Sequence, residues 1–361
     1  MRLLAVSPLA EIYGGERVLL RVLPALRRRG YSVKLAVPSG GPLADAAAER
    51  GIPTVRIPLG PPDRLTPLAL AGAAVAPAHL LGCDVVWLNG LPTQRLVPAL
   101  ALTGRPAVLR VNNPLREPPA WWRRQRFWRV VRAVSAPSAA TAAECVAAGA
   151  PPASVHVIPP TGWEDGGRPA PVAGPGGGHV HVGFVGRIEP RKGVLELMQA
   201  ADGFLSPHPE AVLTVIGEPL SEDDGYAARV RDLAAASRCH DRIRFRGYVP
   251  DAALEIARLD LLVLPSHAEP GATVVCEAAA AGVPVVASAV DGVSENVGQG
   301  GVLVPPGDPD RLAEAIAALV GDPVRRRQLA QNALAGAHRF DPSWAAEQMD
   351  RLLRHAVTAS Q

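Results

Sequence analysis

Short apolar runs alternate with stretches whose apolar positions recur every three or four residues, from one end of the chain to the other. RLLAV, SVKLAV, DVVWLN, AVLRVN and VHVIP read as strands in the first half. HVGFVG, VLTVIG, RIRFRG, LLVLPS and PVVAS read the same way in the second. Between them lie amphipathic segments such as ERVLLRVLPALRRRG, which closes on an arginine-rich turn and Gly30, as a helix C-terminus should. Strand and helix in strict alternation predict an α/β fold, a parallel sheet with helices on both faces.

The alternation breaks once, in PPTGWEDGGRPAPVAGPGGG, a Pro- and Gly-rich stretch from Pro159 to Gly178 that lacks periodicity and reads as a linker. The expected organisation is a Rossmann-like domain at 1–160, a linker at 161–178 and a second Rossmann-like domain at 179–340. A final helix follows at 341–361, opened by Asp341 and Pro342 and able to pack on either half. Doubly wound sheets bind ligands at the carboxyl ends of their strands, so two facing sheets predict a cleft between them.

Composition agrees with this picture and narrows it. A chain of 361 residues is long for one core, which favours two domains. Hydrophobic residues at 48% with 20% charged describe a globular protein, and a net charge of +3 is too small for a dedicated nucleic-acid binder. Pro, Gly or charge interrupts every apolar run before it reaches membrane-spanning length. The opening MRLLAVSPLAEIYGG reads as a strand and its loop, not as a signal peptide. Cys83, Cys145, Cys239 and Cys276 lie far apart and form no CxxC pair, the pattern of reduced, buried thiols in a cytoplasmic protein.

Three motifs carry chemistry. In IYGGERVLL, Gly14 and Gly15 stand where a strand hands over to a helix, so backbone can approach an anion at the helix N-terminus, although a glycine pair there also makes a plain tight turn. In GRIEPRKG, Arg187 and Lys192 fall just past a strand and just before a helix. Lysine occurs only twice in the chain, at Lys34 and Lys192, against an otherwise arginine-borne positive charge. Two cations beside a helix dipole describe a diphosphate site; the plainer reading is surface charge at a turn. In SHAEPGATVVCEAAAAGVPVVAS, Glu269 lies in a loop after a strand and Glu277 about one turn into a helix starting near Thr273. Acids so placed can accept hydrogen bonds from sugar hydroxyls and a ribose diol, with helix-start amides left for phosphate.

With these motifs the chain resembles, over nearly its whole length, the family 4 nucleotide-sugar-dependent glycosyltransferases. Glu269 and Glu277 match that family's E-x7-E motif, Arg187 and Lys192 its GR…KG motif, and GGER at 14–17 its glycine loop. DGVSENV resembles the family's GG-x-x-E turn at Gly292 and Glu295, with Asp291 in place of a glycine. PPGDPDRLAEAIAALVGDP is similar to its C-terminal helix entry. The resemblance implies a GT-B fold, two Rossmann-like domains facing a cleft, with the last helix crossing back to the N-terminal domain. It implies retention by front-face attack, the departing phosphate taking the acceptor's proton, with a UDP-sugar as the favoured donor and neither metal nor other cofactor. Arg187 and Lys192 would then bind and stabilise the leaving diphosphate and Glu277 the ribose. Glu269 with the amides of Gly271, Ala272, Thr273 and Val274 would hold the transferred sugar, and Tyr248 and Val249 would meet the nucleobase.

Two departures stand out. The family's E-P-F-G-L is here Glu269-Pro270-Gly271-Ala272-Thr273, which leaves the donor sugar open. Where the family commonly has a histidine after the strand PAVLRVNN, this chain has Asn112 and then Asn113. An amide can bond a sugar or acceptor hydroxyl but cannot act as a base; an Asn-Asn-Pro turn is the plainer reading.

Other signals point elsewhere and are discounted. DPD at 308–310 spells a metal motif of another glycosyltransferase architecture but reads as the cap of the helix that follows. His179 and His181 share a strand face, and His267 lies near Glu269, yet neither pair has a third ligand. WWRRQRFWRVVR at 121–132 suits peripheral membrane contact, yet reads first as a helix whose Phe127, Val130, Val131 and Val134 face the core.

The sequence therefore predicts a cytoplasmic hexosyltransferase acting on a small acceptor, a natural-product aglycone or an amino-cyclitol. A GT-B epimerase or hydrolase of nucleotide sugars, and a catalytically silent nucleotide-sugar-binding protein, are the alternatives. Acceptor and oligomeric state are not legible.

Overall fold

Among the described residues, thirteen strands build two wholly parallel sheets. The computed structural model describes residues 1–59, 76–113, 115, 120–164, 167–168, 178–219 and 225–358. The chain divides into two units, Met1–Asp165 with Pro342–Gln361, and Gly166–Asp341.

The first unit holds β1 (Arg2–Val6), β2 (Ser32–Val37), β3 (Thr54–Arg56), β4 (Val85–Asn89), β5 (Ala107–Arg110), β6 (Val131–Ala136) and β7 (Val155–Val157) in the order β3-β2-β1-β4-β5-β6-β7. Leu3, Ala5, Trp87, Val108 and Ala133 point to one side, under helix Gly14–Arg28, whereas Leu4, Val6, Val86, Leu88, Leu109 and Val134 point to the other. Burial on both faces is why these strands are apolar runs without polar alternation. The last helix, Pro342–Thr358, packs on helix Gly14–Arg28 and on β4 to β6. Its Ala345, Ala346, Met349, Leu352, Leu353 and Ala356 recur at helical spacing and are all buried. The Tyr31 hydroxyl donates to Asp350 Oδ1 at 2.5 Å and ties the helix to the loop before β2.

The second unit holds β8 (Val180–Val185), β9 (Ala211–Ile216), β10 (Ile243–Gly247), β11 (Leu261–Leu264), β12 (Val285–Ser288) and β13 (Gly301–Val304) in the order β10-β9-β8-β11-β12-β13. Phe184, Leu213, Val215, Leu261 and Val263 form one face's core; Val185, Ile216, Leu262, Leu264 and Ala287 form the other's. In each sheet the order reverses direction once, at β1/β4 and at β8/β11. Loops at such switch points splay apart, and ligands of doubly wound sheets bind there.

Three strands differ from the sequence reading. β3 and β13 are runs of three and four residues, too short to stand out, and β6 overturns the helix expected through Val134. Only Gln125–Trp128 is α-helical in that segment; Val131 opens a strand paired to β5. The β-branched run Val130, Val131 and Val134 favours a pleated, buried strand over a helix, where such side chains lose rotamer freedom. The rings of Trp122, Phe127 and Trp128 pack on one another, with Trp122 and Phe127 buried. Trp122 Nε1 donates to Gln94 Oε1 at 2.6 Å, which turns that ring inward.

The start of the expected linker is also packed. Thr161 and Trp163 are buried in the first unit. Arg21, only 1% exposed, donates to the Thr161 carbonyl at 2.8 Å and to Glu164 at 3.0 Å. Residues 165–166 and 169–177 of that linker, the Trp121 side chain and Pro114 of the Asn-Asn-Pro turn lie outside the described residues. Among the described residues no helix is long and apolar enough to cross a membrane. All four cysteines are free and buried.

Candidate active site

In the second unit the site grows from the β8/β11 switch point. After β8 the chain passes through Gly186 and Arg187 into a 3-10 turn, Pro190–Lys192, and then Gly193. Gly193 has φ +66, and a Cβ there would stand 1.9 Å from the Pro265 carbonyl oxygen. Only glycine lets the β8 loop lie this closely on the loop leaving β11. That approach delivers Lys192 and Arg191 to Glu269, although 77 and 78 positions separate them in sequence.

Lys192 Nζ and Glu269 Oε2 form an ion pair, both side chains 12% exposed. Arg191 Nη1 lies 3.5 Å from the same oxygen and donates to the Ala268 carbonyl at 2.9 Å. Glu189 Oε1 bridges Arg191 at 2.9 Å and Arg187 at 3.2 Å. Three cations therefore face two carboxylates. Burial pushes the Glu269 carboxyl upward, but the charges of Lys192 and Arg191, with hydrogen bonds from Lys192 and Ser266, outweigh it and hold the group below its ordinary value.

The Glu269 backbone is anchored as firmly. Its N–H donates to Asp291 Oδ2 at 2.7 Å, and the Gly271 carbonyl accepts from Asn296 Nδ2 at 2.6 Å. Helix Thr273–Ala281 starts immediately afterwards, with Ala272 as its cap in the left-handed region at φ 45. The first amides of that helix have no intrahelical carbonyl to bond, which suits an anion. Glu277, 3% exposed, lies one turn in. Tyr248 is 61% exposed on the loop after β10, its N–H donating to Glu218 Oε1 at 3.2 Å, whereas Val249 packs partly on the core beside Val185 and Ile216.

The first unit presents a different chemistry at its own switch point. Gly14 and Gly15 open helix Gly14–Arg28, and a Cβ on Gly15 would stand 2.6 Å from Asn112 Nδ2. Asn112 thus needs Gly15 for its place at the end of β5. Its Nδ2 donates to Asn89 Oδ1 at 3.1 Å, and Asn89 Nδ2 donates to Glu16 Oε1 at 3.3 Å. Ser7 Oγ donates to the same Glu16 oxygen at 3.2 Å. Glu16 is 4% exposed, and burial raises its carboxyl above the ordinary value against hydrogen bonds from its own amide, Ser7, the Tyr13 amide and Asn89. The Tyr13 contact is the return half of a capping box, with Tyr13 at the N-cap and Glu16 three residues on. Asn113 is exposed and takes no part.

Comparison with known proteins places this architecture. Residues 12–161 match the family model described as Glycosyltransferase Family 4, and residues 174–335 match Glycosyl transferases group 1. The two span most of the chain. The chain belongs to the family 4 glycosyltransferases. It is 38% identical over 165 residues to D-inositol 3-phosphate glycosyltransferase of Acidothermus cellulolyticus, covering 44% of this chain and 37% of that protein. It is 37% identical over 154 residues to glycogen synthase of Mycobacterium tuberculosis, covering 42% and 36%. These alignments thus span little more than a third of each relative. Among solved structures it is similar to HepE of Anabaena in complex with UDP-glucose, with TM-score 0.83 at 22% identity, covering 98% of this chain and 99% of that one. That likeness shows the GT-B fold.

Within this glycosyltransferase, the sequence pattern located Arg187, Lys192, Glu269 and Glu277 at one sheet edge, and Gly14, Gly15 and Asn112 at another. It missed Glu189, Arg191 and Asn296, and all of Ser7, Glu16 and Asn89, and it marked Asp291 only as a substitution in a turn. Arg191 carries no signal in an arginine-rich chain. Glu16 did carry one, an acid in the first turn of a helix, three residues past its N-cap.

Asp308, discounted above as a metal ligand, caps its helix by accepting from the Arg311 amide at 3.0 Å.

Proposed function

We propose that this glycosyltransferase moves a hexose from a nucleoside diphosphate sugar, a UDP-sugar, to an acceptor hydroxyl with retention and without a metal ion. The observation that carries the reading is the convergence of Arg187, Arg191 and Lys192 beside the start of helix Thr273–Ala281, at the switch point of the second sheet. Three cations against two acids leave that edge positive, and a diphosphate restores the balance. Lys192, a compact ammonium with three donors, keeps two of them for phosphate while paired to Glu269. Glu277 holds the ribose, Tyr248 and Val249 meet the base, and Glu269 with the amides of Gly271 to Val274 holds the sugar.

Catalysis is then positioning and charge stabilisation at the leaving group. As the glycosidic bond to the diphosphate breaks, charge grows on the phosphate oxygen, which removes the proton of the incoming hydroxyl on the same face. Asn112 and Asn113 stand on the first unit's sheet edge, Asn112 as a hydroxyl contact and not as a base. Buried free thiols suit a cytoplasmic setting. The names of the relatives, an inositol phosphate glycosyltransferase and a glycogen synthase, support a polyhydroxyl acceptor. The HepE complex supports UDP as the nucleotide.

The test is a thermal-shift panel of UDP, GDP, ADP and TDP with and without magnesium. Selective stabilisation by UDP, independent of magnesium and reduced in Lys192→Ala, is the expected result. No shift with any nucleotide overturns the reading, because ligand binding to the folded state must raise the melting temperature.

A further inference from the structure

The network behind Asn112 has a direction. Glu16 Oε1 accepts from both Ser7 Oγ and Asn89 Nδ2, so Asn89 turns its amide nitrogen inward. Asn89 then presents its carbonyl oxygen outward, which obliges Asn112 to turn its own nitrogen toward Asn89. One atom of the chain of amides is left over. It is Asn112 Oδ1, for which no described residue supplies a donor.

We propose that Glu16 is a positioning residue which, through Asn89, sets the Asn112 amide so that Oδ1 accepts a hydrogen bond from a polyol hydroxyl. The geometry is specific at every step. Asn89 is fully buried and Asn112 half-buried, so the relay runs from the interior to the sheet's carboxyl edge. Gly15 leaves no room for Asn112 to retreat, since even a methyl group there would stand 2.6 Å from Nδ2. The Tyr13 amide holds Glu16 at the other end. A site built to accept from a hydroxyl rejects an analogue that lacks it, because the buried acceptor is then left unpaired. The hydroxyl belongs either to the transferred sugar or to the acceptor. That second half of the inference rests on the proposed function.

Five asparagines in the whole chain make the test direct. Protein labelled with 15N-asparagine yields five side-chain amide pairs: Asn89 and Asn112 in the relay, Asn113 beside it, Asn296 on the Gly271 carbonyl and Asn332 on the Gln299 carbonyl. Spectra are recorded for wild type and Glu16→Gln, alone and with UDP, UDP-glucose or myo-inositol. Glutamine can still accept from the Tyr13 amide but can donate as well, so the relay loses its fixed direction.

The expected result is that Glu16→Gln moves the Asn89 and Asn112 signals and leaves Asn332 in place. UDP alone moves Asn296, and UDP-glucose moves Asn112 as well if the hydroxyl is the donor sugar's. Movement of Asn112 with myo-inositol instead assigns it to the acceptor. Affinity for whichever polyol moves Asn112 falls about 10-fold in Glu16→Gln while UDP affinity holds. Should Asn112 stay still in Glu16→Gln, the orienting role is wrong. Should Asn296 respond to UDP-glucose while neither polyol moves Asn112, the hydroxyl contact is wrong. Silence of Asn296 with every nucleotide sinks the donor reading alone, because the response of Asn89 and Asn112 to Glu16→Gln still decides the orientation.

Discussion

Lys192 and Glu269 reach across the β8/β11 switch point to form a nearly buried ion pair, each at the tip of a loop that glycine brings within touching distance of the other. The two motifs that looked separate in the sequence are one structure. The lysine's position is therefore set twice, by Gly193 behind it and by Glu269 in front.

Breaking that pair should cost stability as well as activity. Lys192→Ala leaves a buried carboxylate with Arg191 at 3.5 Å and Ser266 at 3.4 Å as its remaining partners. We expect a loss of about 3 kcal/mol, the low end for removing one member of a buried pair. The pH dependence has a definite sign. Glu269 is held below its unfolded value of about 4.3, so its contribution is present above that pH and lost as pH falls through the folded value. Without Lys192 the folded value rises, and acid unfolding should begin at higher pH. Urea melts of both proteins between pH 3 and pH 7 check this; parallel profiles refute it.

Asp291 gives a second test. Asp291 and Ala272 are the non-glycine residues with positive φ among the described residues, at 39 and 45; one accepts from the Glu269 N–H and the other follows Glu269 by three positions. Asp291 is exposed, so replacing it by glycine relieves about 1 kcal/mol of backbone strain with little packing loss. The same change removes the acceptor of the Glu269 N–H. Asp291→Gly should melt no lower than wild type yet bind UDP-glucose several-fold more weakly. Asp291→Asn, which tolerates the left-handed region and keeps an oxygen, should behave as wild type. A glycine variant with unimpaired binding would show that the Glu269 backbone needs no such anchor.

These two residues also mark where sequence reading stops. Strands buried on both faces, such as β4 and β11, announce themselves because nearly every position is apolar. Arg187, Lys192, Glu269 and Glu277 were legible because residue type, loop position and helix start agree. Asp291 was visible only as a substitution in a turn, since its service to Glu269 spans 22 positions. β6 was misread because Val131 and Val134, three apart, fit a helix face as well as a strand until β5 is placed beside them. The Glu16 relay joins residues from the ends of three strands, and no local period can encode that.

Glu16 should trade stability for function. Its folded value is raised, so the stability it contributes is full below the unfolded value of about 4.3 and lost as pH rises through the folded one. Above the folded value the buried charge is a cost that Glu16→Gln removes. We expect the glutamine variant to melt at or above the wild-type temperature at pH 7 and to show a flatter dependence on pH. A variant that melts lower at pH 7 would mean that the charge is favoured by its four hydrogen-bonding partners.

The roles of Glu277 and Lys192 separate in kinetics. Glu277 would bond the ribose equally in ground state and transition state, so Glu277→Ala should raise the apparent KM for UDP-glucose about tenfold and change turnover little. Lys192 would meet charge that develops only as the diphosphate departs, so Lys192→Ala should lower turnover by a factor of about 100 to 1,000. Its donor affinity should fall far less. Calorimetry with UDP supplies binding, and release of UDP from UDP-glucose supplies turnover, with the folded fraction of Lys192→Ala corrected from its melt. Equal losses of affinity and turnover in both variants would dissolve the distinction, because two residues that act uniformly on ground state and transition state have no separate catalytic role to assign.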